Sequence, residues 1–230
     1  MPGWQQFYKH NAAEYDQLVS REDYQKNIPR ALDQICSFEG VDLVEFGAGT
    51  GRFTCMLAPV VRRLWAFDAS RHMLRTAVAK LEKLALSNWL VSVADNRHLP
   101  IGDQVADVAI AGWTFSVFTT WQQETWRTEV GLAVAEMKRV LRPGGTGIIL
   151  EALGWQETPQ VRPEFAPYFA WLEGEQGFRS TWIRTDLKFE SLAEAETLAR
   201  LFFGDALADR MAEEKSLILP ECTGVWWVTV

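Results

Sequence analysis

Between Val41 and Leu153, short apolar runs alternate with longer stretches whose apolar residues recur every three or four positions. The short runs are Val41–Phe46, Leu64–Phe67, Leu90–Ala94, Val105–Ala111 and Gly147–Leu153. They read as strands covered on both faces, because a strand buried on both sides carries no polar alternation. Ser70–Leu86 places Met73, Leu74, Ala77, Leu81 and Leu84 on one stripe, the periodicity of an amphipathic helix. Thr120–Leu141 repeats it with Val130, Val134, Met137 and Leu141, Thr120 and Gln123 being spaced as an N-terminal capping box. Pro143-Gly144-Gly145 then stops the helix and turns the chain into the next strand.

Alternating strand and helix implies parallel strands joined by right-handed crossovers. The fold class expected is therefore α/β, a Rossmann-like, doubly wound, mostly parallel sheet. Ligands in such sheets lie beyond the carboxyl ends of the strands, here after Phe46, Phe67, Ala94, Ala111 and Leu150. Outside the alternating part, residues 1–35 read as helical and aromatic, with Tyr8, Tyr15 and Tyr24. Beyond Leu153 a strand is expected over Thr181–Phe189 and a helix over Ser191–Phe203, started by Ser191 with Glu194 three residues on. Val225–Val230 reads as a last strand, placed antiparallel in the sheet. With no internal repeat or flexible linker, a single domain is expected over 1–230.

Composition removes several classes of function. The 23 Lys and Arg against 30 Asp and Glu give a net charge of −7. No basic cluster stands out, which disfavours a nucleic-acid substrate. Cys36, Cys55 and Cys222 are far apart and form no metal-ligand spacing, so no metal is expected and reduced thiols are. The first residues lack the charged-then-apolar layout of a secretion signal. No apolar run approaches the roughly 20 residues that span a bilayer, so a soluble cytoplasmic protein is expected, as monomer or homodimer. Tryptophan, at 11 residues, is abundant enough to supply both core and pocket walls.

The chemistry concentrates in Glu45-Phe46-Gly47-Ala48-Gly49-Thr50-Gly51-Arg52. A dinucleotide fingerprint would place its third glycine one residue later, where Arg52 stands, and the Lys of a phosphate-binding P-loop is absent. An acid two residues before the first glycine suits a cationic ligand better than a pyrophosphate.

Together with Asp68 in DASRHML, Ala94-Asp95 followed by Leu99-Pro100, Ala106-Asp107-Val108 and LRPGG, this loop resembles the class I S-adenosylmethionine-dependent methyltransferases. The resemblance is to their type 11, small-molecule branch, and it covers Leu43 to Leu153. It implies S-adenosylmethionine as methyl donor, S-adenosylhomocysteine as product and a small-molecule acceptor that is partly aromatic or apolar.

It also implies a cofactor set of Glu45, Gly47, Ala48, Gly49, Gly51, Asp68, Ala69, Met73, Asp95, Asn96, Trp113 and Tyr15. In that set the glycines leave room for the cofactor, and Asp68 takes the ribose hydroxyls or caps the following helix. Asp95 takes the adenine amino group, with Met73 and Ala69 flanking the base. Glu45 orients the loop and faces the methionine ammonium. Trp113 stacks on the sulfonium or walls the pocket, and Tyr15 belongs to a lid or to a helix surface.

The division that follows is an N-terminal helical lid over 1–35, a cofactor-binding core over 41–153, a helical insertion acting as acceptor lid over 154–222, and a final strand over 223–230. The acceptor is expected under Trp113, Phe115 and Trp155 with Tyr168, Phe169, Trp171 and Trp182. Glu151 and His10 are the candidate bases, with Asp186 behind them, while His72 and His98 read as solvated. An NAD-dependent oxidoreductase and a non-catalytic cofactor-binding module are the competing readings.

Overall fold

Every residue of β1 (Asp42–Phe46) is buried, and its side chains divide between two cores, Leu43 on one face and Val44 with Phe46 on the other. A run without polar alternation requires that double cover. The computed structural model of the chain describes residues 11–121 and 124–230. In it β1 pairs in parallel with β2 (Arg63–Asp68) and with β4 (Ala106–Gly112). β3 (Trp89–Val93) lies outside β2 and β5 (Leu141–Gly154) outside β4, both parallel. β9 (Cys222–Thr229) enters antiparallel between β5 and the edge strand β6 (Arg179–Arg184). The seven-stranded order is β3-β2-β1-β4-β5-β9-β6, and β7 (Leu187–Lys188) pairs with β8 (Ile218–Leu219) in a separate ribbon. The doubly wound, mostly parallel sheet expected from the alternation is present, with its antiparallel strand one position in from the edge.

Helices cover both faces. On one side α2 (Asn27–Ile35), α3 (Arg52–Leu57) and α4 (Arg71–Lys83) pack Ile28, Leu57 and Leu74 against Leu43, Ile110 and Ile148. On the other, α6 (Trp126–Val140) and α7 (Ala166–Gly174) pack Val134, Met137 and Leu172 against Val44, Ala109 and Ile149. A third, smaller core joins α1 (Ala12–Arg21), α8 (Leu192–Phe203) and α9 (Asp205–Glu214) through Leu18, Leu198 and Met211. Met73, Leu74, Ala77 and Leu81 of the stripe are buried on α4 while Leu84, just past its end, is exposed, and Ser70 caps the helix by accepting from the Met73 N–H at 3.4 Å.

Three expected boundaries differ. The helix before β5 ends at Val140 and the strand runs from Leu141, so Pro143-Gly144-Gly145 lies within β5 rather than ending the helix. The helix expected over Thr120–Leu141 is broken: α5 (Val117–Trp121) is a separate short helix and α6 begins at Trp126. The Thr120 hydroxyl donates back to the Val117 carbonyl at 3.0 Å instead of capping, and Gln123 lies outside the described residues. The strand expected over Thr181–Phe189 is interrupted at Thr185 and Asp186. There the Asp186 carboxylate accepts from Arg184 and from the Glu221 N–H, leaving β7 to pair with β8.

At the amino ends of the parallel strands, buried Asp42 accepts two hydrogen bonds from Arg62, at 2.8 and 2.6 Å, and one from Arg142 at 2.9 Å. Arg142 also reaches Asp107, which accepts from the Asp42 N–H. This cluster fastens β1, β4 and β5 at the end opposite the ligand-facing loops.

Candidate functional site

The loop after β1 turns on three glycines in the left-handed region, Gly47, Gly49 and Gly51, with φ of 68°, 55° and 86°. Their reasons differ. A Cβ on Gly47 would stand 2.2 Å from Thr114 Oγ1, and one on Gly51 would stand 2.9 Å from the Ala77 Cβ on α4. The space at these two is taken by the protein itself, which corrects the expectation that a side chain there would enter ligand volume. Gly49 alone opens outward, its nearest protein atom to such a Cβ being Tyr15 at 3.7 Å.

Two adjoining cavities lie over this loop. The larger, about 610 Å³, is walled by Gly47, Gly49, Asp68, Ala69, Met73, Asp95 and Asn96. Asp68 ends β2 and is fixed from both sides: its Oδ2 accepts from the Gly49 N–H at 2.9 Å and its Oδ1 from the Ser70 N–H at 2.7 Å. Each oxygen keeps a lone pair for a ligand hydroxyl. Burial pushes its carboxyl pKa up.

Asp95, also on this wall, is gripped by Arg97, whose backbone N–H and side chain both donate to it, and this holds its pKa down. The neighbouring Asn96 donates to Thr114 Oγ1 at 3.2 Å, and its buried Oδ1 has no partner among the described residues. Of the two, Asn96 is the side chain with acceptor capacity to spare.

The smaller cavity, about 250 Å³, takes Glu45, Ala48, Thr50, Arg52, Trp155 and Arg162 into its wall, and it shares Tyr15 and Trp113 with the larger one. Glu45 is buried, accepts from Thr54 Oγ1 at 2.5 Å, and is pushed up to about 8 by that burial. Arg52 pairs with Glu22 at 2.5 Å and lies 4.7 Å over the Trp113 ring, which Phe53 stacks against at 5.9 Å. Trp113 itself holds a left-handed φ of 50°, an uncommon conformation for a bulky residue.

Glu221, just before β9, meets Glu22 on the cavity wall. Arg162 lies 4.2 Å over Phe165, and the buried Trp155 Nε1–H has no acceptor among the described residues. The participation of Glu22, Glu221 and Arg162 was not legible in the chain: they come from three distant segments, and none belongs to a spaced motif.

Other expected site residues lie elsewhere. Gly51 is on neither cavity wall and instead N-caps α3. Glu151 is buried behind Ser116, accepting from the Phe115 and Ser116 N–H groups and from Ser116 Oγ at 2.7 Å, with burial lifting it to about 7. It lines neither cavity. Asp186 is spent on Arg184 and Glu221, and His10 lies outside the described residues. His72 and His98 are exposed, as expected.

The aromatic acceptor wall needs the largest correction. Phe115, packed on Phe46, is a core residue, as are Tyr168 and Trp171 against Trp126 and Phe169 against Trp226, and Trp182 is 45% exposed on the edge strand. Trp113 and Trp155 remain on the cavity, joined there by Phe165, Phe202 and Phe203, which the sequence did not single out.

Comparison with known proteins gives this geometry a context. Residues 44–149 match the family model described as a methyltransferase domain. Over 143 residues the chain is 30% identical to the malonyl-[acyl-carrier protein] O-methyltransferase of Geobacter sulfurreducens, covering 60% of this chain and 48% of that protein. Over 112 residues it is 30% identical to the ubiquinone/menaquinone biosynthesis C-methyltransferase UbiE of Rubrivivax gelatinosus, covering 49% of this chain and 39% of that protein. The chain thus spans about half the length of the curated relatives it matches. The solved structure of an S-adenosylmethionine-dependent methyltransferase from Aquifex aeolicus shares the fold, with a TM-score of 0.59 at 18% identity over 89% of this chain and 90% of that one.

Proposed function

We propose that the chain, whose residues 44–149 match the methyltransferase-domain family model, is a class I S-adenosylmethionine-dependent methyltransferase that methylates a small molecule held in the smaller cavity, beside the methionine end of the cofactor. The observation that carries this reading is Asp68, a carboxylate locked by two backbone N–H groups at the end of β2 with lone pairs left on the larger cavity. Such a group suits a ribose diol. The unpartnered Asn96 oxygen suits an exocyclic amino group, and the open side of Gly49 leaves room for the ligand backbone.

S-adenosylmethionine supplies a methyl group already activated on a sulfonium, so the protein's task is to align the partners and exclude water. In this proposal Met73 and Ala69 flank the base, and Asn96 takes the amino group with Asp95 in a supporting position beside Arg97. Gly47 and Ala48 carry the loop past the ligand, and Gly51 holds that loop on α4. Glu45, on the wall of the smaller cavity, faces the methionine ammonium. Trp113 already has a cationic and an aromatic partner in Arg52 and Phe53, so its role is the partition between the two cavities. Glu151 holds the Phe115–Ser116 turn in place, and α1, through Tyr15, closes the site as a lid.

A small acceptor follows from the cavity, whose size lies below the roughly 300–1,000 Å³ of drug-sized ligand sites. The two relatives differ in what their names say they methylate, so the acceptor is argued from this chain alone.

Calorimetry with S-adenosylhomocysteine tests the reading. A dissociation constant on the order of micromolar is expected, weakened at least about tenfold in Asp68→Ala, with no heat from NAD. Folded protein that binds NAD and not S-adenosylhomocysteine would overturn it.

A further inference from the structure

Of the polar groups on the smaller cavity, Glu22 and Glu221 are the most unusual, because two carboxyl groups meet there away from water. Glu22, just after α1, has a side chain only 10% exposed, and Glu221 is 6% exposed. Glu22 Oε2 is tied to Arg52 at 2.5 Å. Glu221 accepts from Thr185 Oγ1 at 3.0 Å, and Thr185 is in turn within 2.6 Å of Thr223 Oγ1. Glu22 Oε1 is buried with no donor among the described residues, and Glu221 is an electrostatic neighbour of the same carboxyl group on the same cavity wall.

Two carboxylates in contact cannot both remain ionised in such a place, and one proton shared between them resolves the repulsion. Burial, followed by the Glu22 charge, pushes the Glu221 carboxyl well above the usual carboxylate range. One shared proton would leave the unit Glu22–Glu221–Arg52 with one negative charge beside one positive charge, neutral overall.

A second buried group independently marks the same wall as a ligand site. Thr50 is 1% exposed, and its hydroxyl has no partner among the described residues. Loop geometry does not require an unsatisfied hydroxyl at this position, and an unpaired buried polar group is costly unless something else meets it.

We propose that Glu22, paired with Glu221 and charge-balanced by Arg52, binds the acceptor through a neutral hydroxyl and takes up the proton that this hydroxyl loses on methylation. The inference rests on the methyltransferase reading above and deepens it by naming the acceptor class, a small alcohol or phenol. As the acceptor oxygen bonds to the methyl carbon, the carbon–sulfur bond breaks with its electron pair returning to sulfur. The hydroxyl proton passes to the Glu22–Glu221 pair, which returns it to solvent after release. Beside the Glu22–Glu221–Arg52 unit, neutral as a whole, a neutral hydrogen donor is favoured over an anion or a cation. Arg162, elsewhere on the cavity wall, is a cation that would favour a carboxylate, and the test includes that outcome.

Phenol, benzoate and benzylamine, matched in size and different in charge, are titrated into the protein saturated with S-adenosylhomocysteine, with ligand-observed NMR as readout. Phenol is expected to bind more tightly than the other two. Glu22→Gln is expected to weaken phenol by about tenfold, the loss of one charge-assisted hydrogen bond, and to narrow its advantage over benzoate. Affinity for S-adenosylhomocysteine should stay within about twofold of the parent, which also reports that the variant is folded. Glu221→Gln serves as the second variant and is expected to reduce the same preference.

Benzoate or benzylamine binding at least as well as phenol would overturn the assignment, the first pointing to Arg162. So would an unchanged phenol preference in both variants, which is what a purely structural carboxyl pair predicts. Failure of the parent protein to bind S-adenosylhomocysteine would instead overturn the methyltransferase reading, so the two failures are distinguishable.

Discussion

Glu45 shows how one residue can serve both packing and binding. Its carboxyl group is buried at the end of β1, accepts from Thr54 and is pushed up to about 8, so it is mostly protonated at neutral pH without ligand. A ligand ammonium placed beside it would favour the ionised form. Binding of S-adenosylhomocysteine near pH 7 should therefore release up to one proton, seen as a dependence of calorimetric heat on the buffer's ionisation enthalpy. In Glu45→Gln the dependence should vanish, and its persistence there would place the titrating group elsewhere.

At the neighbouring strand end, Asn96→Ala should weaken the same ligand more than Asp95→Ala, because Arg97 already occupies Asp95. Equal losses would return the adenine contact to Asp95. Asp68 was legible in the sequence because a strand end, a turn and a helix start are consecutive residues. The preference for Asn96 was not, since it arises from a side chain two residues away that no periodicity describes.

At the scale of elements, helix starts with a local cause were readable. Ser191 caps α8 by accepting from the Glu194 N–H at 3.1 Å, while the Glu194 carboxylate turns back to the Glu190 N–H. Ser191→Ala should cost about 1 kcal/mol in urea unfolding, with ligand binding at the distant Asp68 unchanged. A loss well below that figure would show that Glu194 holds the helix end by itself.

The strand pattern from Val41 to Leu153 was equally legible, because double burial leaves a direct mark on composition. What the pattern could not separate was aromatic residues serving the core from those serving the cavity. Tyr168, Phe169 and Trp171 sit on a helix whose apolar residues run nearly all round, and they pack toward β9. Phe202 and Phe203 reach the cavity from α8 through a fold-back of the chain that no local signal encodes. The break before α6 was missed for a similar reason, as Thr120 can bond to Val117 within its own short turn.

Several carboxyl groups of the molecule are buried, and for three glutamates among them the pKa is pushed up. Glu45 rises from 4.5 to about 8 and Glu151 from 4.5 to about 7, both chiefly by burial, and Glu221 rises well above its ordinary value. Below pH 4.5 these groups are protonated folded or unfolded, so their stabilising contribution is fully present. As pH rises toward 8 the unfolded chain ionises while the folded one holds its protons, and stability falls. Asp42 acts in the opposite sense: Arg62 holds its pKa down, so its contribution is lost only as pH falls below its ordinary 3.8. Thermal unfolding without ligand should therefore give a higher midpoint near about pH 5 than near about pH 8, on the acid side of the usual optimum. A midpoint that rises over this interval would contradict the assigned protonation states.

Tyr15 is wall to both cavities at once, and its helix is pinned on two sides, by Lys80 of α4 to Asp16 and by Arg21 to Glu190 and Glu194 beside α8. A wall that two compartments share cannot swing away for one occupant while the other holds it. Each ligand should then slow the departure of the other. The dwell time of S-adenosylhomocysteine, followed by stopped-flow fluorescence of the tryptophans, should lengthen when phenol is present. The pinned α1 then works as a party wall, through which each tenant prolongs the stay of the other.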